Sequence, residues 1–341
     1  MNSKQKKISS QRKWIPDGFH FLGPEESQNR RVLLQKFSEI FVRRGFSEVN
    51  LPSFDYTTSF RSFLESESEN LLVSKDWEGN ELSPGVDLTL QVVKGMASRS
   101  HWEENQNTFY FARKIRDHKK RNASRREILQ VGAESFGASD NSQILNHIEI
   151  LIELVNSVST KIDYSFVFGH SQLFRSIISF LDWNEELTAT LRQFLYTKNL
   201  PELLSLAARL GTPENNTKIL KLFLKPIPFA NFKSFQSELL TYLPGDSIPL
   251  FQSDLENIEK FELDWKKRGL PKNVIWDPSL VRDVSYYTGL VFQGYIPSDP
   301  EPIFAGGVYN ELYFTFSGIE KDACGFALHL DPIEELANIK K

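Results

Sequence analysis

Between Phe174 and Lys267 the chain reads almost entirely as Leu-rich amphipathic helix, broken by Pro226, Pro228, Pro244 and Pro249, while the segments on either side carry strand-like runs. An order of mixed α/β, then helix, then β again predicts one sheet whose strands come from both halves of the chain, interrupted by a helical insertion. The expected fold class is therefore α+β, an antiparallel sheet flanked by helices. Residues 1–15 read as a flexible basic tail, 16–173 and 268–341 as the core, and 174–267 as the inserted helical subdomain. An apolar content of 40%, with 27 Phe, supplies enough buried surface to offset the ordering entropy of such a fold.

Local patterns fill in the outline. A helix is marked from Glu25 to Arg44, with Pro24 at its entry, Gly45 past its end, and Leu33, Phe37, Ile40 and Phe41 at helical spacing. Phe46, Val49, Leu51 and Pro52 then read as extended chain. Leu71 to Val73 and the residues after Asn80 flank the turn-forming Trp77-Glu78-Gly79-Asn80, consistent with a hairpin. Asp87 to Arg99 looks helical. Thr108–Ile115 and Glu127–Phe136 pair as an antiparallel hairpin around a basic connection holding Lys119, Lys120, Arg121, Arg125 and Arg126. Asp140, Asn141 and Ser142 offer caps for a helix whose Ile144, Ile148, Leu151, Val155 and Val158 share one face. Strand-like composition returns at Val274–Trp276, Tyr286–Gln293, Ile303–Phe304 and Leu312–Phe316.

Several function classes lose support at once. Forty basic against 44 acidic residues leave a net charge of −4, which does not suit a protein coated for polyanions. The single cysteine, Cys324, fits a reducing compartment, and cytoplasm is the simplest expectation. Lys4, Lys6, Lys7, Arg12 and Lys13 precede no apolar run of signal-peptide type, and no stretch approaches the roughly 20 apolar residues that span a bilayer. His20, His101, His118, His147, His170 and His329 show no paired metal-ligand spacing, so neither a metal nor a cofactor is expected. No phosphate-binding glycine loop or nucleophile elbow is present.

What remains is a set of hydrogen-bonding residues. Period-two geometry puts Gln130, Gly132 and Glu134 on one face of a strand and Leu129, Val131 and Ala133 on the other. A glycine between two polar side chains leaves room for a small ligand; a half-exposed strand in water explains the same pattern. Arg282, followed by Ser285, Tyr286, Tyr287, Thr288 and Gly289, brings a guanidinium suited to a carboxylate and hydroxyls suited to an imidazole. A surface arginine beside core aromatics accounts for it equally. The basic loop after Arg116 offers cations to phosphate, or is simply solvated.

In order, these segments resemble the motifs of histidyl-tRNA synthetases, over nearly the whole span from Pro16 to Ile333. The helix and strand ending at Gly45-Phe46 and Pro52 resemble motif 1, the dimer-forming element of class II enzymes. Arg116 to Glu134 resemble motif 2, with Arg116 at the phosphate-binding arginine and Gln130 and Glu134 at histidine-contacting positions. Asp87 and Thr89 sit where the family recognises the amino group of histidine. Arg282-Asp-Val-Ser-Tyr-Tyr-Thr-Gly and Ala305-Gly-Gly-Val-Tyr-Asn are similar to the two histidine-specific motifs. The resemblance implies a class II synthetase-like sheet with a histidine pocket formed by Asp87, Thr89, Gln130, Glu134, Arg282, Tyr286 and Tyr287, and Arg116 as a phosphate or carboxylate contact.

The departures shape the expected function. Gly325-Phe-Ala-Leu-His-Leu-Asp-Pro332 resembles motif 3 but holds proline where the ATP-binding arginine belongs, and Val308 and Gly85-Val86 replace further basic or proline positions. Losing a cation at a triphosphate removes several kcal/mol, on the order of 3–4, of transition-state stabilisation. Ser285 stands where the family has aspartate. Only 341 − 332 = 9 residues follow Pro332, so no anticodon-binding domain and no tRNA charging are expected. A synthetase core that keeps amino-acid recognition without ATP chemistry is similar to the regulatory subunits of the short-form ATP phosphoribosyltransferase. That resemblance implies a non-catalytic homodimer within a hetero-oligomer, activating the catalytic subunit of the first step of histidine biosynthesis, with histidine as effector. The rival expectations are an amino-acid-activating or tRNA-charging synthetase paralogue that binds ATP through Arg116 and the basic loop, and a scaffold or interaction module with a vestigial pocket.

Overall fold

The computed structural model describes residues 15–61, 63, 71–85, 87–99, 106–117, 125–137, 141–280 and 286–339. The expected first helix is α1 (Pro24–Arg43), begun by Pro24 and by the Glu26 carboxylate, which accepts from Gly23 N at 2.7 Å. Gly45, at φ +82°, takes a backbone conformation that a β-carbon disfavours and turns the chain into β1 (Ser47–Glu48).

A small sheet follows, from β2 (Phe54–Tyr56), β3 (Ser74–Lys75) and β4 (Glu81–Pro84) in the order β2-β4-β3. Its hairpin begins at Ser74 and not at Leu71, because the Asp76 carboxylate gathers the turn by accepting from Glu78 N at 3.0 Å and Asn80 N at 2.8 Å. Helix α2 (Leu88–Ala97) starts at Asp87, whose side chain accepts from Leu90 N.

The main sheet is built from β1, β5 (Gln106–Ile115), β6 (Glu127–Phe136), β7 (Ser165–His170), β8 (Ile227–Pro228), β9 (Val274–Trp276), β10 (Leu290–Ile296), β11 (Asp299–Val308) and β12 (Ala323–His329). Their order is β1-β5-β6-β12-β11-β10-β7-β9-β8. The central strands are antiparallel, as expected, whereas β1/β5 and β7/β9 pair in parallel, making the sheet mixed. β7 and β12 were not foreseen, and β10 begins at Leu290, leaving Tyr286 and Tyr287 in the approach to it. Leu312–Phe316, expected as a strand, lies in α10 (Asn310–Ser317). Leu312, Tyr313 and Phe316 pack inward at helical spacing while Phe314 is exposed, a periodicity that a strand cannot satisfy.

Helices cover both faces. One face packs against α1, α3 (Asn141–Val158) and α11 (Leu330–Ile339), and against the helical insertion of α4 (Ser171–Leu181), α5 (Glu185–Tyr196), α6 (Leu200–Arg209), α7 (Glu214–Phe223), α8 (Phe232–Tyr242) and α9 (Pro249–Lys267). Phenylalanines dominate there: Phe41 stacks on Phe109 at 4.6 Å, and Phe166 and Phe168 meet Trp265 edge to face at 5.3 and 5.2 Å. The insertion also gives the sheet its edge strand β8 and wraps the fully buried Trp276 with Phe229, Phe232 and Phe235. The other face carries α2 and α10 over a tyrosine-rich cluster.

Two histidines are sealed inside. His147 lies edge-on to Phe46 and Phe326, with Nε2 3.3 Å from Ser135 Oγ and Nδ1 3.1 Å from Gln143 O. His170 caps α4, Nδ1 accepting from Leu173 N at 3.2 Å. Burial lowers both to about 4. Both are neutral in the fold but titrate near 6.5 when unfolded, so their stabilising neutrality is complete above about 6.5 and is lost as pH falls toward 4. Thermal denaturation is expected to show a loss of order 2–3 kcal/mol per histidine over that window. His170→Asn keeps an acceptor for Leu173 N without a titrating ring, and is expected to flatten part of the acid limb.

Candidate functional site

Cross-strand register creates the candidate site on the tyrosine-rich face. One row runs Thr108, Glu134, Gly325, Gly307 and Val291 across β5, β6, β12, β11 and β10; the next runs Tyr110, Gly132, Ala327, Ala305 and Gln293. Small residues in the middle of both rows make a floor. A β-carbon at Gly325 would overlap the Glu134 carboxyl, and one at Gly307 would come within 2.8 Å of the Tyr287 ring. The space above Gly132, expected to admit a ligand, is filled by Tyr110. Its ring and hydroxyl stand where a β-carbon at 132 would go, because the two residues are direct cross-strand partners.

Hydroxyls from α2, β5 and the end of β11, those of Thr89, Tyr110 and Tyr309, converge on Glu134, which has no exposed surface. From α2, Thr89 Oγ1 donates to Glu134 Oε1 at 2.8 Å. From the end of β11, the Tyr309 hydroxyl donates to Glu134 Oε2. On the neighbouring residues, Gln130 Nε2 donates to the Tyr110 hydroxyl at 2.7 Å, and the Tyr286 hydroxyl donates to Asp87 Oδ2 at 3.2 Å. Tyr286 lies edge-on to Tyr309 with centroids 5.9 Å apart, and Tyr287 lies 4.8 Å from Tyr286.

Burial pushes the Glu134 carboxyl up to about 8, outweighing hydroxyls from Tyr309, Thr89 and Tyr110 that favour its ionised form; the Asp87 charge adds to the rise. The same burial, with Glu134 beside them, raises Tyr110 and Tyr309 well above the usual phenol range. At neutral pH the cluster is thus an uncharged network with Asp87 at its rim. It can exchange hydrogen bonds with a small ligand carrying both N–H donors and nitrogen acceptors, and an ammonium group suits Asp87.

Of the residues expected from sequence, Asp87, Thr89, Gln130, Glu134, Tyr286 and Tyr287 come together here. Arg282 and Ser285 lie outside the described residues. Arg116 is buried at the end of β5, four residues or about 13 Å of extended chain beyond the Ala112–Gln130 pair, and Nη1 donates to Ile115 O at 3.3 Å. Tyr110 and Tyr309 were missed. Strand alternation puts Tyr110 on the same face as Thr108, but only the β5–β6 register sets it over Gly132; Tyr309 already stood in the glycine motif at Ala305.

At the far end of the strands, Pro332 is buried in the first turn of α11. Its neighbour Asp331 accepts from Leu129 N at 2.7 Å and, with Glu334, holds Arg30 of α1. The loop cations within the described residues face acids: Arg125 meets Asp299 and Glu335, and Arg126 meets Asp117 at 2.6 Å. For these two, the phosphate-gripping expectation is replaced by internal ion pairing; Lys119, Lys120 and Arg121 lie outside the described residues. Among the described residues, no group of three His, Cys, Asp or Glu side chains is placed to hold a metal ion, and no helix is long and apolar enough to cross a membrane.

The profile of the histidyl-tRNA synthetase family matches residues 18–333. A protein named ATP phosphoribosyltransferase regulatory subunit from Leptospira interrogans serogroup Icterohaemorrhagiae serovar copenhageni (strain Fiocruz L1-130) is 38% identical over 327 residues, covering 95% of this chain and 94% of its own length. Among solved structures, an ATP phosphoribosyltransferase regulatory subunit/histidyl-tRNA synthetase from Bacillus halodurans C superposes with a TM-score of 0.77 at 22% identity, covering 95% of this chain and 83% of that one. A histidine–tRNA ligase subunit from Alicyclobacillus acidocaldarius gives 0.79 at 19% identity, covering 96% and 97%. The last two establish the shared fold.

Glu134 generates a test in the opposite direction from the histidines. Its folded value is raised from 4.5 to about 8, so the folded state holds a proton that the unfolded state has released, and stability falls as pH rises from 4.5 toward 8. Glu134→Gln keeps the shape without the titration. Chemical denaturation at pH 6 and pH 9 is expected to show wild type losing about 2–3 kcal/mol more than the variant.

Proposed function

Since the chain belongs to the ATP phosphoribosyltransferase regulatory subunit family, within the histidyl-tRNA synthetase fold, we propose that it is a non-catalytic subunit that activates a short-form ATP phosphoribosyltransferase and conveys feedback by histidine. The observation that carries this reading is a pairing: an intact, buried Glu134 cluster and, toward the far end of the strands, a proline at position 332, where the resemblance to the synthetases puts the ATP-binding arginine. The 38% identity with the Leptospira protein along nearly the whole chain supports the same role.

In this reading the imidazole of histidine enters the cluster and takes over hydrogen bonds that Tyr110 and Tyr309 make with Gln130 and Glu134. Asp87 receives the ammonium, Thr89 holds Glu134, Tyr286 and Tyr287 wall the ring, and Arg282 meets the carboxylate. Arg116 remains a phosphate or carboxylate contact near the end of β5. The chain works as a homodimer within a cytoplasmic hetero-oligomer, without tRNA, metal or cofactor. Regulation is linkage: histidine favours the assembly state in which this pocket binds it better, and the coupling is reciprocal.

Titration of the assembled complex with histidine tests the pocket. Leaving a buried polar group without its hydrogen-bond partner costs roughly 1–3 kcal/mol, so Glu134→Ala is expected to weaken the histidine response about tenfold while the complex still forms. Wild-type histidine sensitivity in that variant would move the effector site to the catalytic subunit. Amino-acid-dependent pyrophosphate exchange by the purified chain is expected to stay at background, and robust exchange would restore the amino-acid-activating enzyme.

A further inference from the structure

Tyr286 and Tyr287 stand between residues 281–285, which lie outside the described residues, and β10, and the helical insertion contacts the chain on either side of that stretch, at Asp277–Ser279 and at Tyr287–Gly289. At the β9 end stands Lys198, in the turn between α5 and α6. Its Nζ lies 2.6 and 2.7 Å from the two carboxylate oxygens of Asp277 and also donates to Ser279 Oγ. Asp277 and Ser279 are buried, and Asp277 Oδ1 accepts in addition from Ser279 N at 3.0 Å and Ser279 Oγ at 2.8 Å, so the ammonium completes a closed polar knot. At the β10 end, Arg175 of α4 donates to the Tyr287 carbonyl at 3.0 Å, and Ser171 N donates to Gly289 O at 2.9 Å.

The backbone of Lys198 is an independent sign that this contact is not incidental. Its φ of +54° lies in the left-handed region, which among the described residues only one other non-glycine residue, Asp182, enters. A turn with that geometry favours glycine or asparagine, since a β-carbon crowds the following carbonyl. A lysine occupies the position against its own backbone preference, and the side chain's bond to Asp277 is the feature that glycine could not supply. Close packing reinforces the knot: a β-carbon at Gly169 would come within 2.7 Å of Leu280 Cβ, so β7 and the start of the segment already lie in contact.

We propose that Lys198 and Arg175 are positioning residues that couple the helical insertion to the amino-acid site, holding the Tyr286–Tyr287 segment in its binding geometry from both ends. This rests on the reading of the Glu134 cluster as a histidine site. A force on the insertion from a bound partner then shifts Tyr286 and Tyr287, and an amino acid seated against them biases the insertion to the same extent. The insertion thereby becomes the side of the molecule from which pocket affinity is set.

Lys198→Gly removes the ammonium while suiting the backbone, so the turn is kept. Asp277→Asn approaches the same knot from the other side. Histidine affinity by calorimetry, in the complex with the catalytic subunit, is expected to fall about two- to fivefold in each variant, the scale of one partly exposed ion pair. Hydrogen exchange at residues 286–290 is expected to accelerate, with the β5–β6 amides unchanged, an asymmetry that a general loss of stability would not produce. If wild type binds histidine and Lys198→Gly binds it equally well, the coupling is overturned. If wild type itself binds none, the histidine reading fails separately, and unchanged exchange at 286–290 in the variant would then overturn the clamp as well.

Discussion

A carboxyl group with no exposed surface, placed mid-sheet, dictates much of what surrounds it. Glu134 sits in β6 with glycine beside it on β12 and another glycine beyond that on β11, because any side chain at the first position would collide with the carboxyl itself. Removing a carboxylate from water costs several kcal/mol per charge, on a scale where each hydrogen bond to that charge returns about 1.5–3. Hydroxyls from Thr89 and Tyr309 do not close that gap, and the group settles it by holding its proton. The helix caps, the tyrosine stacking and the glycine register around Glu134 are all conditions for keeping one polar group where water cannot reach it.

The opposite face of the same strands solves a simpler problem. Phe41, Phe109, Phe166, Phe168 and Phe326 interlock with helices on that side, and the polar exceptions, His147, Ser135 and Gln143, bond one another. Division of labour between faces follows from strand alternation: Glu134 and Ser135 are adjacent in sequence yet belong to different clusters. The aromatic side fixes where the strands lie, and so fixes the register on which the pocket floor depends.

Much of this was legible where periodicity is strong. The stripe of α1, the β5–β6 hairpin and the inner face of α3 follow from apolar spacing, and Asp87 and Thr89 share the first turn of a helix that the sequence marks. β12 escaped notice because Ala-Cys-Gly-Phe-Ala-Leu-His is covered on both faces and shows no apolar–polar alternation. The aromatic richness of Leu312–Phe316 imitates a strand, although only three of its five side chains pack inward. Gly132 was read as space, and only the facing register discloses that Tyr110 occupies it. Spacing along one chain cannot state what a neighbouring strand brings.

The glycines at 307 and 325 carry one further consequence. Where a pocket is bounded below by bare main chain, its depth is a property of strand geometry, and no single exchange of side chain can deepen it. Enlarging either glycine would displace Glu134 or Tyr287 before it altered selectivity. The space above that floor is therefore shaped from the roof, by α2, α10 and the approach to β10.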